Sequence, residues 1–267
     1  MPKKFETIFN EWVLLSVNVA IILATELSGQ YFARTGIIHI IAIVFVILGI
    51  SRIFIHYDAY DRYLRPLIRG GSVALVTFAA SHLVEILGYM YFKATVDAIF
   101  INVVNFYIMS MLIVAIGAEY FLRALKREGM TKIIVLGAAV AVFSLLTILI
   151  FMNRISVSLE PGGSVPYIYS LLVVASSIFS INRLFNVKRR VSIMAGFINY
   201  FIAAFVLITI SALQYVLYDV LPGLGIPGFQ ILYVSHFLFY GALTLIFLAF
   251  VRLSDLGGVY QETQKTG

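Results

Sequence analysis

Basic residues in this chain come in five clusters, and the clusters alternate with long apolar stretches. The clusters run from Lys3 to Lys4, Arg52 to Arg69, Arg123 to Lys132, Arg183 to Arg190 and Arg252 to Lys265, and they hold 16 of the 19 Lys and Arg residues. The four other gaps between apolar stretches share only Arg34, Lys93 and Arg154. Short loops with this asymmetry follow the positive-inside pattern of a polytopic membrane protein. Only 12% of the residues are charged and mean hydropathy is +1.00, whereas soluble domains carry roughly one quarter charged residues. The bilayer is therefore the expected solvent.

A membrane span needs roughly 20 apolar residues. The expected spans are Glu11–Leu27, Gly36–Phe54, Gly71–Phe92, Ala98–Leu122, Thr131–Met152, Val165–Arg183, Val191–Tyr218 and Phe229–Arg252. The fold expected is all-α: a polytopic transmembrane bundle of eight helices, one integral domain over 1–267, with N-terminus and C-terminus both cytoplasmic. Helices follow because a chain in lipid must satisfy its own backbone hydrogen bonds, and the alternation a β-barrel needs is absent. On this topology the inner side carries a net charge of +8 and the outer side −2. The overall charge of +6 is explained by orientation and by anionic headgroups on the cytoplasmic side, so no nucleic-acid partner is expected.

Cysteine is absent, which excludes disulfides, thiolate metal sites and cysteine nucleophiles. Missing cysteines and short loops point to a prokaryotic plasma membrane. Little chain is left outside the spans, which favours a small subunit working with protein partners. The segment from Ile55 to Gly70 reads as the longest inner loop, with Tyr57, Tyr60 and Tyr63 at headgroup level. The Gly- and Pro-rich outer loops after Met152 and after Tyr218 read as compact turns or lids. Small residues at Gly137 with Ala141, and at Ser176 with Ser180, mark expected close helix packing.

Ionisable groups inside a span are costly and commonly functional. Helix directions set by the charge pattern place His39 about 4–5 Å inside the outer boundary, His82 about 15 Å down, and Glu85 and His236 about 10 Å down, at 1.5 Å per residue. Polar residues at helical spacing add faces: His82, Glu85 and Tyr89; Asn102 and Asn105; Ser211, Gln214, Tyr215 and Tyr218; Tyr233, His236 and Tyr240. Together they describe a polar cavity in the outer half, with Asn102, Asn105, Gln214 and Tyr233 in its lining. Glu119, in the inner half, stands one turn from Arg123 and is expected to pair with it.

Imidazole is a common ligand for transition metals, and haem takes axial histidines from facing helices. The first expectation is a haem b or a transition-metal ion held by His82 and His236. His39 and Glu85 would complete a metal shell, and Arg34 and Lys93 would meet haem propionates. That reading implies membrane redox chemistry. A solute- or proton-coupled transporter, or a small-ligand receptor, would use the same cavity without a metal. An intramembrane hydrolase or lipid-modifying enzyme is the third class. It lacks H-E-x-x-H and G-x-S-x-G. Zinc hydrolases of the alkaline ceramidase and adiponectin-receptor group carry a serine four residues before the histidine and two histidines on the last span; Phe78 and the lone His236 depart from that pattern. Microbial rhodopsins need a lysine in the last span, and none stands there.

Overall fold

The computed structural model describes residues 46–51, 57–60, 62, 64–88, 95–126, 130–191, 194–226, 234–235 and 237–253, with positions 16, 20 and 44. Among the described residues from 65 onwards, six α-helices follow one another: α1 Arg65–Leu87, α2 Val96–Lys126, α3 Thr131–Phe151, α4 Ser164–Arg190, α5 Ala195–Val216 and α6 Phe237–Leu253. Short 3-10 turns at Tyr57–Ala59 and Leu221–Leu224 precede α1 and follow α5. Among the described residues there is no strand. Helices α1 to α5 are long and apolar enough to cross a membrane, and α6 is a shorter apolar helix. Of the first two expected spans, the described part is helical at positions 16, 20 and 44 and over 46–51; the remainder lies outside the described residues.

Helix boundaries follow local chemistry. Pro66 sits in the first turn of α1, where its missing N–H costs nothing and its fixed φ suits a helix. The helix therefore starts six residues before the expected span and absorbs Arg65 and Arg69. Arg65 ties down the preceding turn, donating from Nε to the Tyr60 carbonyl at 3.2 Å and from Nη2 to that of Asp58 at 3.1 Å. Of the expected inner loop at 55–70, residues 65–70 thus belong to α1, and the turn at 57–60 is tied to it. Tyr60 in particular is buried, and its hydroxyl donates to the Leu253 carbonyl at the end of α6, 2.5 Å away. Thr95 caps α2 by accepting from the Ala98 N–H at 3.3 Å. Asp97 in that first turn suits the positive end of the helix dipole. Helix α4 runs seven residues past the expected Arg183 and ends in Lys188, Arg189 and Arg190, cations favoured at a helix C-terminus.

Helix α2 is the axis of the bundle. It packs on α1, α3, α4 and α5, and 83% of its apolar window is buried. Its 31 residues span about 46 Å at 1.5 Å per residue. The contact with α1 is set by glycines. A Cβ on Gly117 would meet the Pro66 carbonyl oxygen at 3.0 Å and the Gly70 Cα at 3.3 Å, and one on Gly88 would meet Ile99 at 2.8 Å. The α2–α4 contact runs through Ser180, whose hydroxyl donates to the Met111 carbonyl at 2.8 Å. Ser176 and Ser180 are therefore at a close contact, as expected. Gly137 and Ala141 are not: both are exposed, and no described atom lies within 4 Å of a Cβ built on Gly137. The buried residues of α3 are Leu136, Phe143, Thr147 and Ile150, a single stripe at helical spacing that leaves Gly137 off the contact face. Helix α6 closes the group through Phe250, which meets Phe201 of α5 at 5.6 Å, and through Phe239, which meets Phe78 of α1 at 4.6 Å.

Because successive helices alternate in direction, charge collects at two opposite ends. One end gathers Arg123, Lys132, Arg183 and Arg190 around Glu119. The other holds Asp97, Glu160 and Asp219. There the Asp97 carboxylate accepts the Leu159 N–H at 2.9 Å, and Leu159 is fully buried. The loop after α3 is thus folded down as a compact turn, as its Gly and Pro content predicts. Partial burial raises the pKa of Asp219, and the negative charges of Asp97 and Glu160 raise it further.

Candidate functional site

His82 lies five residues before the end of α1, about 7.5 Å along the helix axis. It is fully enclosed, as is Glu85 one turn further on. The i, i+3 spacing brings His82 Nδ1 to 3.3 Å from Glu85 Oε2. The other ring nitrogen, Nε2, faces the Tyr107 hydroxyl of α2 at 3.5 Å. Phe239 of α6 covers the imidazole with ring centroids 3.6 Å apart, and Phe78 stands 5.0 Å from the Tyr107 ring. Neither Glu85 oxygen has a hydrogen-bond partner among the described residues. A carboxylate in such a place is expensive unless it is protonated or paired.

The polar groups continue beyond this pair. The Tyr107 hydroxyl is within reach of the Ser81 and Ser211 hydroxyls. Ser211 donates to the Ser235 carbonyl at 3.2 Å, and Ser235 Oγ donates to Gln214 Oε1 at 2.8 Å. Gln214 in turn lines an apolar cavity of about 370 Å³ with Ile210, Leu213, Leu217, Leu221, Ile226 and Val234. Polar contacts thus lead from a side cavity, past α5 and α2, to the buried carboxylate on α1.

The structure brings together His82, Glu85 and Gln214 of the expected site, but not Asn102 and Asn105. Tyr107 turns to α1. Asn105, two residues earlier, is about 160° away around the helix and meets Tyr169 of α4. Both asparagines are fully buried, and their amides lack a well-formed hydrogen bond among the described residues. They form a second polar spot on the far side of α2 rather than a wall of the same cavity. His39, His236, Arg34, Lys93 and Tyr233 lie outside the described residues. Among the described residues no group of three or more His, Asp or Glu gathers in a metal-like cluster. Sequence reasoning missed Tyr107 and Phe239, which look like ordinary core aromatics. A usable signal was the run of Asn102, Asn105, Tyr107 and Ser110 in one helix, which is too polar all round to face lipid.

Glu119 pairs with Arg123 at 3.0 Å, as expected, and also with Arg183 of α4 at 3.2 Å. Comparison with known protein families, curated proteins and solved structures finds no match to this chain.

Proposed function

We propose that this chain is a multi-pass plasma-membrane protein of eight spans, with both ends and the basic face in the cytoplasm. Its His82–Glu85–Tyr107 cluster exchanges a proton in step with solute movement or ligand binding. The observation that carries this reading is the Glu85 carboxylate, fully buried, 3.3 Å from an equally buried imidazole and without a hydrogen-bond partner among the described residues. Such a pair is a weak source of stability, and replacement by apolar residues of similar size is often neutral or better. An ionisable pair at this depth is a functional candidate by default. The polar line from Gln214 to Tyr107 supplies a direction from which a proton approaches, and on the positive-inside orientation it approaches from the outer side.

Infrared titration of the protein in liposomes tests the proposal. A carboxyl band that titrates in the wild type and vanishes in Glu85→Gln is the expected result. His82→Gln should move that band's midpoint. Absence of any Glu85-dependent titration between pH 4 and pH 10 would sink the reading.

Haem or metal binding by His82 with His236 takes second place, because Tyr107 stands at Nε2 and Glu85 at Nδ1. An iron or zinc ion would have to displace one of them. Oxidised and dithionite-reduced spectra, with metal analysis of the same sample, separate the two readings: a Soret band or stoichiometric metal would reverse their order.

A further inference from the structure

We infer that the basic end of the bundle contains a specific binding pocket for a phosphate group, formed between α2, α3 and α4 and filled by the headgroup of an anionic phospholipid. A cavity of about 250 Å³ opens there, lined by Glu119, Arg123, Lys132, Arg183, Asn186 and Arg190 with Leu122. Liquid water occupies about 30 Å³ per molecule, so the space is that of about eight waters, enough for a phosphate and part of a glycerol. Four cations face one carboxylate. Glu119 does not neutralise the site; it organises it. Arg123 and Arg183 each turn their Nε to this one carboxylate, from two different helices.

That arrangement leaves the terminal guanidinium nitrogens to act elsewhere. Arg123 is only 7% exposed, and its Nη1 is buried without a hydrogen-bond partner among the described residues. A buried charged donor left in that state is costly. The guanidinium groups that line the cavity are of the kind that bind phosphate through paired N–H donors. Arg183 is further held by stacking over Phe179 at 4.9 Å, which fixes its plane. Asn186 adds a neutral side chain able to donate to the same ligand.

The position of the pocket favours a lipid as the carrier of that phosphate. Lys132 lies in the first turn of α3, and the adjoining Ile134 and Val135 are 68% and 62% exposed. An acyl chain leaving the pocket would run along this apolar face. The inference does not depend on the proton-exchange reading, whose residues lie towards the opposite end of the helices.

The test is thermal unfolding of delipidated, detergent-purified full chain, titrated separately with phosphatidylglycerol, phosphatidylcholine and inorganic phosphate. Lys132 and Arg190 touch the pocket without holding Glu119, so Lys132→Gln/Arg190→Gln should keep the fold. Phosphatidylglycerol should raise the Tm of the wild type, with phosphatidylcholine far weaker. The double variant should bind phosphatidylglycerol about tenfold more weakly. Arg69→Gln, at the same end but outside the pocket, should bind like the wild type. Stabilisation by inorganic phosphate that the double variant loses would keep the phosphate site and assign it to a soluble ligand. No stabilisation by either anion, undiminished stabilisation in the double variant, or equal loss in Arg69→Gln would overturn the inference.

Discussion

Helices α2 and α3 are neighbours, and α3 is the more apolar of the two, yet 83% of the apolar window of α2 is buried against 17% for α3. In water the ranking would be reversed. In a bilayer the lipid tails are as apolar as leucine, so burial of hydrocarbon does not sort helices. What sorts them is what lipid cannot accept. Helix α2 carries Asn102, Asn105, Tyr107, Glu119 and Arg123, all buried, and a glycine that lets α1 approach to backbone contact. Helix α3 carries Ser144 and Thr147, whose hydroxyls bond carbonyls of their own helix, Val140 and Phe143. Ser144 also reaches the Met109 sulfur of α2 at 3.2 Å, but α3 buries no charged side chain, and it turns Ile134, Val135, Val142, Leu145 and Ile148 outward.

The sharpest way to break this contrast is to remove the ionic centre of α2. Glu119→Ala leaves Arg123 buried beside Arg183, and losing one partner of a buried pair costs about 3–5 kcal/mol. Chemical unfolding in detergent should show the largest loss of the set, or no folded protein. Gly117→Leu comes next. Its side chain has nowhere to go against the Pro66 carbonyl and Gly70, and overpacking costs about 1–3 kcal/mol. Gly137→Leu on α3 is the matched control and should change stability by less than about 0.5 kcal/mol. Equal effects at the two glycines would remove the contrast between α2 and α3.

Ser180→Ala removes the hydroxyl that bridges α4 to Met111 of α2 and should cost about 0.6–1.7 kcal/mol, as interhelical hydrogen bonds in membranes do. Ser144→Ala on α3 should be smaller, because its link to α2 goes to the Met109 sulfur at 3.2 Å, a weaker acceptor than the carbonyl that Ser180 reaches. The smallest effect belongs to the acidic end. Asp219 has a raised pKa, from partial burial first and then from Asp97 and Glu160. The folded state therefore holds its proton more tightly than the unfolded state. Stability from this group is full below the unfolded pKa and falls as pH rises through the folded value. Asp219→Asn should flatten that acid-side slope and slightly raise the Tm at neutral pH, read from melts across pH 3 to 7.

Much of this was legible in the chain, and the reasons for the gaps are physical. Thr131–Phe151 ends within a residue of its expected span because apolar character ceases on both sides. Glu119 and Arg123 are four apart, so their pairing is local. Arg183 is distant in sequence and reaches the same carboxylate only through the packing of α4 on α2. Gly137 with Ala141 and Ser176 with Ser180 carry the same small-residue spacing, yet only the second pair meets a helix. The spacing reports that close approach is permitted and is silent on which face is turned inward. Likewise His82 and Glu85 announced themselves as intramembrane ionisable groups, whereas Tyr107 is 25 residues from His82 and resembles any other core aromatic. Asn102 and Asn105 lie on the other side of α2 from Tyr107, a placement hidden in the chain because depth alone does not give the angle around a helix axis.

The bond from Tyr60 to the Leu253 carbonyl joins residues 193 positions apart. On a ribosome adding about 5–20 residues per second, Tyr60 waits some tens of seconds for its acceptor. Through that interval the Leu253 carbonyl is missing, and the seat beside α1 stands ready for α6. The arrival of α6 is then a latching event that engages Tyr60 and lays Phe239 over the His82 imidazole in the same motion. A ribosome-tethered chain stopped before Leu253 should hold Tyr60 open to aqueous reagents, and release of the full chain should close it.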